Sequence, residues 1–293
     1  MKQIIYLKNV VVLAVICIFL SCNSREYHQI TISIDDACNL QQQSVAYEVI
    51  NKRIASICHI KEKTNLIDGK FDITCSGEDS LLTQILTQKG EIYITEMYLN
   101  NEIQSSLNTI YERLFWLQEN TNQELSWYVD NFTLISVPLQ QIAYIDSIFN
   151  SYKHFFPADI SFAWTAIPYD RRTGGNSFSL LALKSTQRAL PLNPNTVKNS
   201  SIKDGHRAYG YDRLYIELSK PYQEEWARMT RSNISRSLAI VMDGNVLMYP
   251  TVQSEITGGK LEITGEFDNN ELLLLKSVIQ GGVLDCKAQI VNQ

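Results

Sequence analysis

Leu238-Ala239-Ile240-Val241-Met242-Asp243-Gly244-Asn245-Val246 is the stretch that decides the fold class. Five apolar residues in succession read as a buried strand, and Asp243-Gly244-Asn245 is a tight turn into a partner strand, Val246–Val252. Pro250 cannot donate to a ladder, so that partner is expected at a sheet edge or bulged near its end. On the N-terminal side, Leu214, Ile216 and Leu218 alternate with Arg213, Tyr215 and Glu217, the pattern of a strand with one buried face. Between these strands Pro221 suits the first turn of a helix. That helix carries Glu224 and Glu225 early and Arg228 and Arg231 late, as its dipole favours. On the C-terminal side, Leu261, Ile263 and Phe267 share one face of a strand, with Glu262, Thr264 and Glu266 on the other. Asp268 and Glu271 form a capping box, Gly281-Gly282 ends the helix begun there, and Cys286, Ala288 and Ile290 belong to a closing strand. Antiparallel strands with helices on one face define an α+β class. Leu238, Ile240, Leu261, Ile263 and Phe267 are its expected core.

The N-terminal part has the same character. Ile30-Thr31-Ile32-Ser33-Ile34 alternates strictly, as a half-buried strand does. Asn39 and Gln42 make a capping-box start, and Ala46, Val49, Ile50, Ile54 and Ile57 form one helical stripe. A hairpin at Asp68-Gly69-Lys70 joins a strand near Ile60–Ile67 to Phe71–Cys75. A helix from Asp79 to Gln88 stops before Gly90, and Glu91–Met97 is a further strand. The succession βαββαβ predicts a ferredoxin-like sheet. Between these parts, Ile103–Leu117 reads as helix, while Phe132–Val137, Ile160–Ile167 and Ser177–Lys184 read as strands. Tyr169–Asn176 reads as a hairpin loop, and Leu190–Ser201, with Pro191 and Pro194, as a linker. The expected division is therefore 28–100, a ferredoxin-like base; 101–202, a helical and strand insertion with linker; and 203–293, an α+β sandwich.

Residues 1–22 stand apart. Lys2 and Lys8 precede an apolar run from Val10 to Leu20, and no acid occurs before Glu26. The run fits a signal peptide and falls short of the roughly 20 apolar residues that a spanning helix requires. Phe19-Leu20-Ser21-Cys22 resembles a lipobox, which makes Cys22 the expected lipid attachment site and a membrane, through that lipid, an expected partner. The protein is thus expected in the cell envelope, anchored to the inner or outer membrane and facing the periplasm.

The remaining sequence, 45% hydrophobic and 19% charged over the whole chain, suits ordinary globular domains. A net charge of −5 with no basic cluster argues against nucleic acid as a partner. Cys38, Cys58, Cys75 and Cys286 are even in number in an oxidising compartment, which permits disulfides. Their places within apolar patterns, without the dense spacing of a stapled scaffold, point instead to buried, reduced side chains. His28, His59, His154 and His206 lie far apart and none of the cysteines has zinc spacing, so neither a metal nor another cofactor is expected. No nucleophile elbow, phosphate-binding loop or zinc-protease motif occurs, and no catalytic residue is expected. Asp35-Asp36 reads as a solvated strand end, Glu224-Glu225 as a helix N-terminal pair, Asp243-Gly244 as a turn and Arg171-Arg172 as a solvated loop pair.

Several of these stretches, in order, resemble the SecD/SecDF family of protein-export membrane proteins. Ser237–Val246, Tyr249-Pro250, Ile256-Thr257-Gly258-Gly259 and Ile263-Thr264-Gly265-Glu266-Phe267 are similar to the signature that closes the family's first periplasmic domain. Trp226–Thr230 with Asn233-Ile234 resembles its tryptophan helix, and Leu181-Ala182-Leu183-Lys184 a strand of the fused SecDF proteins. Ala46–Arg53 and Ile73–Asp79 resemble its first helix and a following strand and turn. Leu272–Leu275 departs from the small residues usual in the family's last helix, and the ion-coupling membrane helices have no counterpart in these 293 residues. The resemblance implies a stand-alone lipoprotein that is the periplasmic part alone, its 203–293 unit being SecD-head-like. It implies a non-enzymatic role in binding polypeptide or assisting translocation, with unfolded secretory polypeptides or Sec translocon components as partners. The alternative reading is an envelope lipoprotein that reuses the fold to bind glycan or a partner lipoprotein. No ligand-binding residue is singled out.

Overall fold

The computed structural model describes residues 27–76, 79–121, 130–168, 176–184, 189–203, 212–265 and 267–292. The signal segment with Cys22, the Arg171-Arg172 pair and Glu266 lie outside the described residues. The described residues form a mixed α+β structure with four antiparallel sheets.

The first sheet contains β1 (His28–Ile34), β2 (Ile60–Lys63), β3 (Lys70–Cys75) and β14 (Ala288–Asn292), in the order β14-β1-β3-β2. Helix α1 (Leu40–Ile57) follows β1, and its capping box is formed by Asn39 and Gln42 as the spacing predicts. The turn at Asp68-Gly69 places both residues at positive φ, 49° and 71°. Helix α2 (Asp79–Thr87) then leads into β4 (Ile92–Glu96).

Here the structure corrects two expectations. β4 follows in sequence as the βαββαβ pattern requires, yet it does not enter the first sheet; β14 pairs with β1 instead. Ile92, Ile94 and Thr95 are all buried, so β4 is covered on both faces and suits the interior of a sheet. β14, expected to close the C-terminal sheet, is an edge strand of the first one.

β4 lies in the second sheet, in the order β12-β11-β4-β8, with β8 (Leu190–Pro191), β11 (Leu238–Met242) and β12 (Asn245–Met248). β12 is the edge strand that Pro250 implies. The third sheet has the order β13-β10-β9, from β9 (Val197–Lys203), β10 (Arg213–Leu218) and β13 (Lys260–Ile263). The expected linker 190–201 is therefore corrected. Leu190, Leu192 and Val197 are buried, Pro191 sits on an edge strand where its missing N–H costs no ladder bond, and Asn193 organises the turn between β8 and β9. Helices α5 (Lys220–Ser232) and α6 (Asn269–Gly281) complete this part. α6 begins at the Asp268–Glu271 capping box and stops at Gly282, φ +94°. One hydrophobic core runs without a break from β1, α1 and β3 to β10, β11, β13 and α6. It includes Leu238, Ile240, Leu261, Ile263 and Phe267.

The fourth sheet, β5-β7-β6, comprises β5 (Thr133–Pro138), β6 (Ser161–Trp164) and β7 (Ser177–Leu183). It packs with α3 (Gln104–Thr121) and α4 (Ile142–Ser151) around a second core of Leu107, Ile110, Leu134, Ile145, Phe149 and Leu180. Its β7 end joins β4: Tyr98 N donates to Ala182 O at 2.9 Å and Lys184 N to Glu96 O at 2.9 Å.

A charged fork ties the start of this region to the head. Arg236 donates Nη1 to Glu102 Oε1 at 3.0 Å and Nη2 to Glu102 Oε2 at 2.7 Å, and also reaches Met97 O. The Arg236 guanidinium, followed by the Leu99 amide, holds the Glu102 carboxyl below the usual glutamate range. The folded protein therefore binds fewer protons at this site than the unfolded chain, and acid weakens it. The contribution is complete above the ordinary glutamate value of about 4.3 and is lost as pH falls below it. Glu102→Gln is expected to remove that component, about 1 kcal/mol for a partly exposed pair. Urea titrations of both proteins on each side of this window measure the difference; parallel acid sensitivity in the variant would exclude Glu102 as its source.

Candidate functional site in the head

A cleft of about 280 Å³ opens beside α5, lined by residues of the second and third sheets. Its floor is apolar, from Ile94 of β4, Leu238 and Ile240 of β11 and Leu261 of β13. The rim is the segment from Pro250 to Ile256. Helical spacing puts Trp226 and Thr230 of α5, four residues apart, on one face, and both line the cleft.

The rim is held from below. Thr230 is fully buried; its Oγ1 donates to Trp226 O at 2.9 Å and accepts from Ile256 N at 3.0 Å. Arg231 clamps Glu255 from outside with two contacts, at 2.9 and 2.6 Å. Val252 exchanges backbone hydrogen bonds with the Ser235–Arg236 stretch. The cleft is thus a preformed feature of the head and not a gap left by loose packing.

Two properties distinguish it chemically. Trp226 is 6% exposed, yet its buried Nε1 has no hydrogen-bond partner among the described residues. An unpaired buried donor costs free energy, and this one lies beneath the cleft wall rather than open to it. Ile256, by contrast, is 36% exposed on the rim, and Ile234 nearby is 46% exposed, so apolar surface continues out of the cleft. Ile256, Leu261 and Glu262 also border a second, more polar depression of about 540 Å³ along β9 and β10, lined by Lys203, Tyr215, Glu217 and Lys260. β13 separates the two, and among the described residues it pairs within its sheet only with β10. Its other edge retains backbone groups capable of pairing with an added strand.

No group of His, Cys, Asp and Glu among the described residues has a metal-binding arrangement. Asp35 is exposed and its side chain accepts from Ala37 N, as at a strand end. Asp243 adopts the turn conformation at φ 49° but does more than turn. It accepts from Gln88 Nε2 at 2.6 Å, Gly90 N at 3.0 Å and Glu91 N at 2.7 Å, binding the β11–β12 turn to the start of β4. No cleft residue is singled out by composition or motif chemistry. The available signal was a tryptophan on a helix otherwise rich in charge, with a Pro-containing segment following the next hairpin.

Comparison with known proteins gives the same region prominence. Residues 182–286 match the family described as SecDF, P1 head subdomain. The protein translocase subunit SecD of Sebaldella termitidis is 29% identical over 121 residues, 41% of this chain and 27% of that protein. SecD of Leptotrichia buccalis is 35% identical over 83 residues, 28% of this chain and 20% of that protein. The chain thus spans about a quarter of the length of these relatives. A crystal structure of SecDF in a super-membrane-facing form superposes over 98% of this chain and 34% of its own, with a TM-score of 0.50 and 15% identity; this likeness concerns the fold alone. The resemblance to a SecD/SecDF periplasmic domain holds in sequence over the head and in fold over nearly the whole chain. Among the described residues no helix is long and apolar enough to cross a membrane.

Proposed function

We propose that this SecD/SecDF-like periplasmic domain is a non-enzymatic, lipid-anchored envelope protein whose head cleft holds extended polypeptide during translocation. The observation that carries the reading is the cleft itself: an apolar floor, the Trp226 ring beside it and a strand edge at β13, within the part that matches the SecDF head. An unfolded segment supplies complementary groups for each. Its apolar side chains fill the floor beside the Trp226 ring, and its backbone pairs with β13. Ordering such a ligand opposes binding, so micromolar or weaker affinity is expected, suited to repeated capture and release.

Titration of an unfolded secretory peptide against the protein, followed by NMR, tests this reading. Shifts are expected around Trp226, Leu238, Ile256 and Leu261. Trp226→Ala should weaken binding by more than about tenfold, in the range of a buried tryptophan anchor. Ile256→Asp, on the exposed rim, should weaken it without threatening the core. Absence of shifts at millimolar peptide, or saturable shifts with oligosaccharide instead, would replace this function by the glycan-binding alternative.

The anchor has its own test. Cys22→Ser is expected to abolish metabolic labelling by fatty acid and to leave the signal segment uncleaved. A labelled Cys22→Ser protein would remove the lipid anchor from the proposal.

A further inference from the structure

α1 carries a cysteine at each end. Cys38 precedes its N-cap Asn39, and Cys58 is its C-cap. The first is disulfide-bonded to Cys286, just before β14, with Cα atoms 6.3 Å apart. The second is half-buried, and its thiol lies within hydrogen-bonding reach of the Cys75 thiol at the end of β3. Strand register explains the encounter. Cys75 pairs directly with Ile60, only two residues beyond Cys58, which brings the C-cap of α1 beside the end of β3. Ser76 N donates to His59 O at 3.3 Å, which keeps the two chain segments together up to the cysteines. We propose that Cys58 and Cys75 are a second redox site, closing as a disulfide so that both ends of α1 are covalently fastened to the first sheet.

The chemistry follows from the unequal exposure of the two sulfurs. Cys58 is the accessible one. Its thiolate attacks a small or protein disulfide RSSR, forms a mixed disulfide and releases one RSH. Cys75, buried and in contact, loses its proton and attacks Cys58 Sγ, expelling the second RSH. Two protein thiols and RSSR thus become one protein disulfide and two RSH. The hydrogen bond with the neighbouring Cys75 thiol, and then burial, push the Cys58 pKa up, which favours slow closure into a lasting cross-link over rapid cycling.

The sequence permits a direct test, because Lys61 and Lys70 lie between the two cysteines. The full chain is isolated with Cys38–Cys286 closed and the other pair reduced, treated with oxidised glutathione, alkylated and digested with trypsin without reduction. Peptides 54–61 and 71–89 are expected to appear joined by a disulfide in the wild type. In Cys58→Ser they should be separate, with Cys75 alkylated only after denaturation. Circular dichroism confirms that the variant folds; if it does not, the wild-type map alone decides. Separate alkylated peptides in the oxidised wild type, a persistent glutathione adduct on Cys58, or Cys75 joined to any other cysteine would overturn the proposal. Peptide binding by the head is a separate measurement and is not altered by any of these results.

Discussion

Arg53→Met should lower the stability of the protein by about 4 kcal/mol or more, although it keeps most of the apolar stem and touches no ligand. Arg53 is 0% exposed. Its guanidinium donates to Ile85 O at 2.9 Å, Gln88 O and Lys89 O at 2.7 Å, and twice to Gly282 O, at 3.1 and 2.5 Å. These carbonyls belong to the C-terminal ends of α2 and α6, where helices leave acceptors without intrahelical partners. Burial lowers the guanidinium pKa to about 10, an effect that the nearby Asp243 carboxylate opposes, so the group is charged at neutral pH. Replacing a buried ion pair with apolar residues is often harmless because both partners are removed together. Here the acceptors are backbone and remain, desolvated and short of a donor, although Lys89 O still accepts from Leu284 N at 2.8 Å. Gly90 and Gly281 are part of the same arrangement: a Cβ on Gly90 would meet Arg53 Nη2 at 2.5 Å, and one on Gly281 would collide with Arg53 Cγ. Arg53→Lys should recover part of the loss, since an ammonium reaches one or two of the carbonyls but cannot span both helix ends. Denaturant titration of the three proteins measures this; a loss below about 1 kcal/mol in Arg53→Met would show that water satisfies the carbonyls after all.

How far sequence led to this arrangement depends on the range of the interaction concerned. Local signals were reliable: Asn39–Gln42 and Asp268–Glu271 cap helices, Asp68-Gly69 and Asp243-Gly244 turn hairpins, and Pro250 follows an edge strand. Each needs only residues a few positions apart. Strand partnership did not follow from such signals. β4 and β14 both alternate or run apolar for five residues, and nothing within either tells which will lie beside β1. The burial of Thr95 together with Ile94 is a property of the assembled sheets. The 190–201 stretch was misread because Pro and Asn suggest a loop, while edge strands as short as Leu190–Pro191 tolerate proline. Trp226, Pro250 and Ile256, which line the cleft, fall among the motif residues of the SecD resemblance. That they converge on one cleft required the β11–α5–β13 packing.

The cysteines carry the same lesson into energetics, and they supply the second large effect. Reduction of Cys38–Cys286, or its removal in Cys38→Ser/Cys286→Ser, is expected to cost about 3–5 kcal/mol. The bond joins residues 248 positions apart, so the loop it closes in the unfolded chain takes in nearly all of the described structure. The chain-entropy contribution grows with the logarithm of loop length, which puts this bond at the upper end of the usual range. Its location adds to the effect. Cys286 precedes β14 and Cys38 follows β1, and these two strands pair from Thr31–Asn292 to Ile34–Ala288. β14 is an edge strand that, among the described residues, pairs within its sheet with β1 alone, so the bond secures the ladder by which this strand returns to the N-terminal sheet. Spacing within apolar segments suggested reduced side chains because the pairing partner lay at the opposite end of the sequence. Such a bond persists in an oxidising compartment, which the proposed envelope location would supply, and the measurement is direct. Wild-type protein with reductant and the double-serine variant isolated with Cys58 and Cys75 reduced should unfold at the same, lower denaturant concentration, while wild type with Cys38–Cys286 closed unfolds at a higher one. Coincidence of all three curves would mean that pairing of β1 with β14 needs no covalent help.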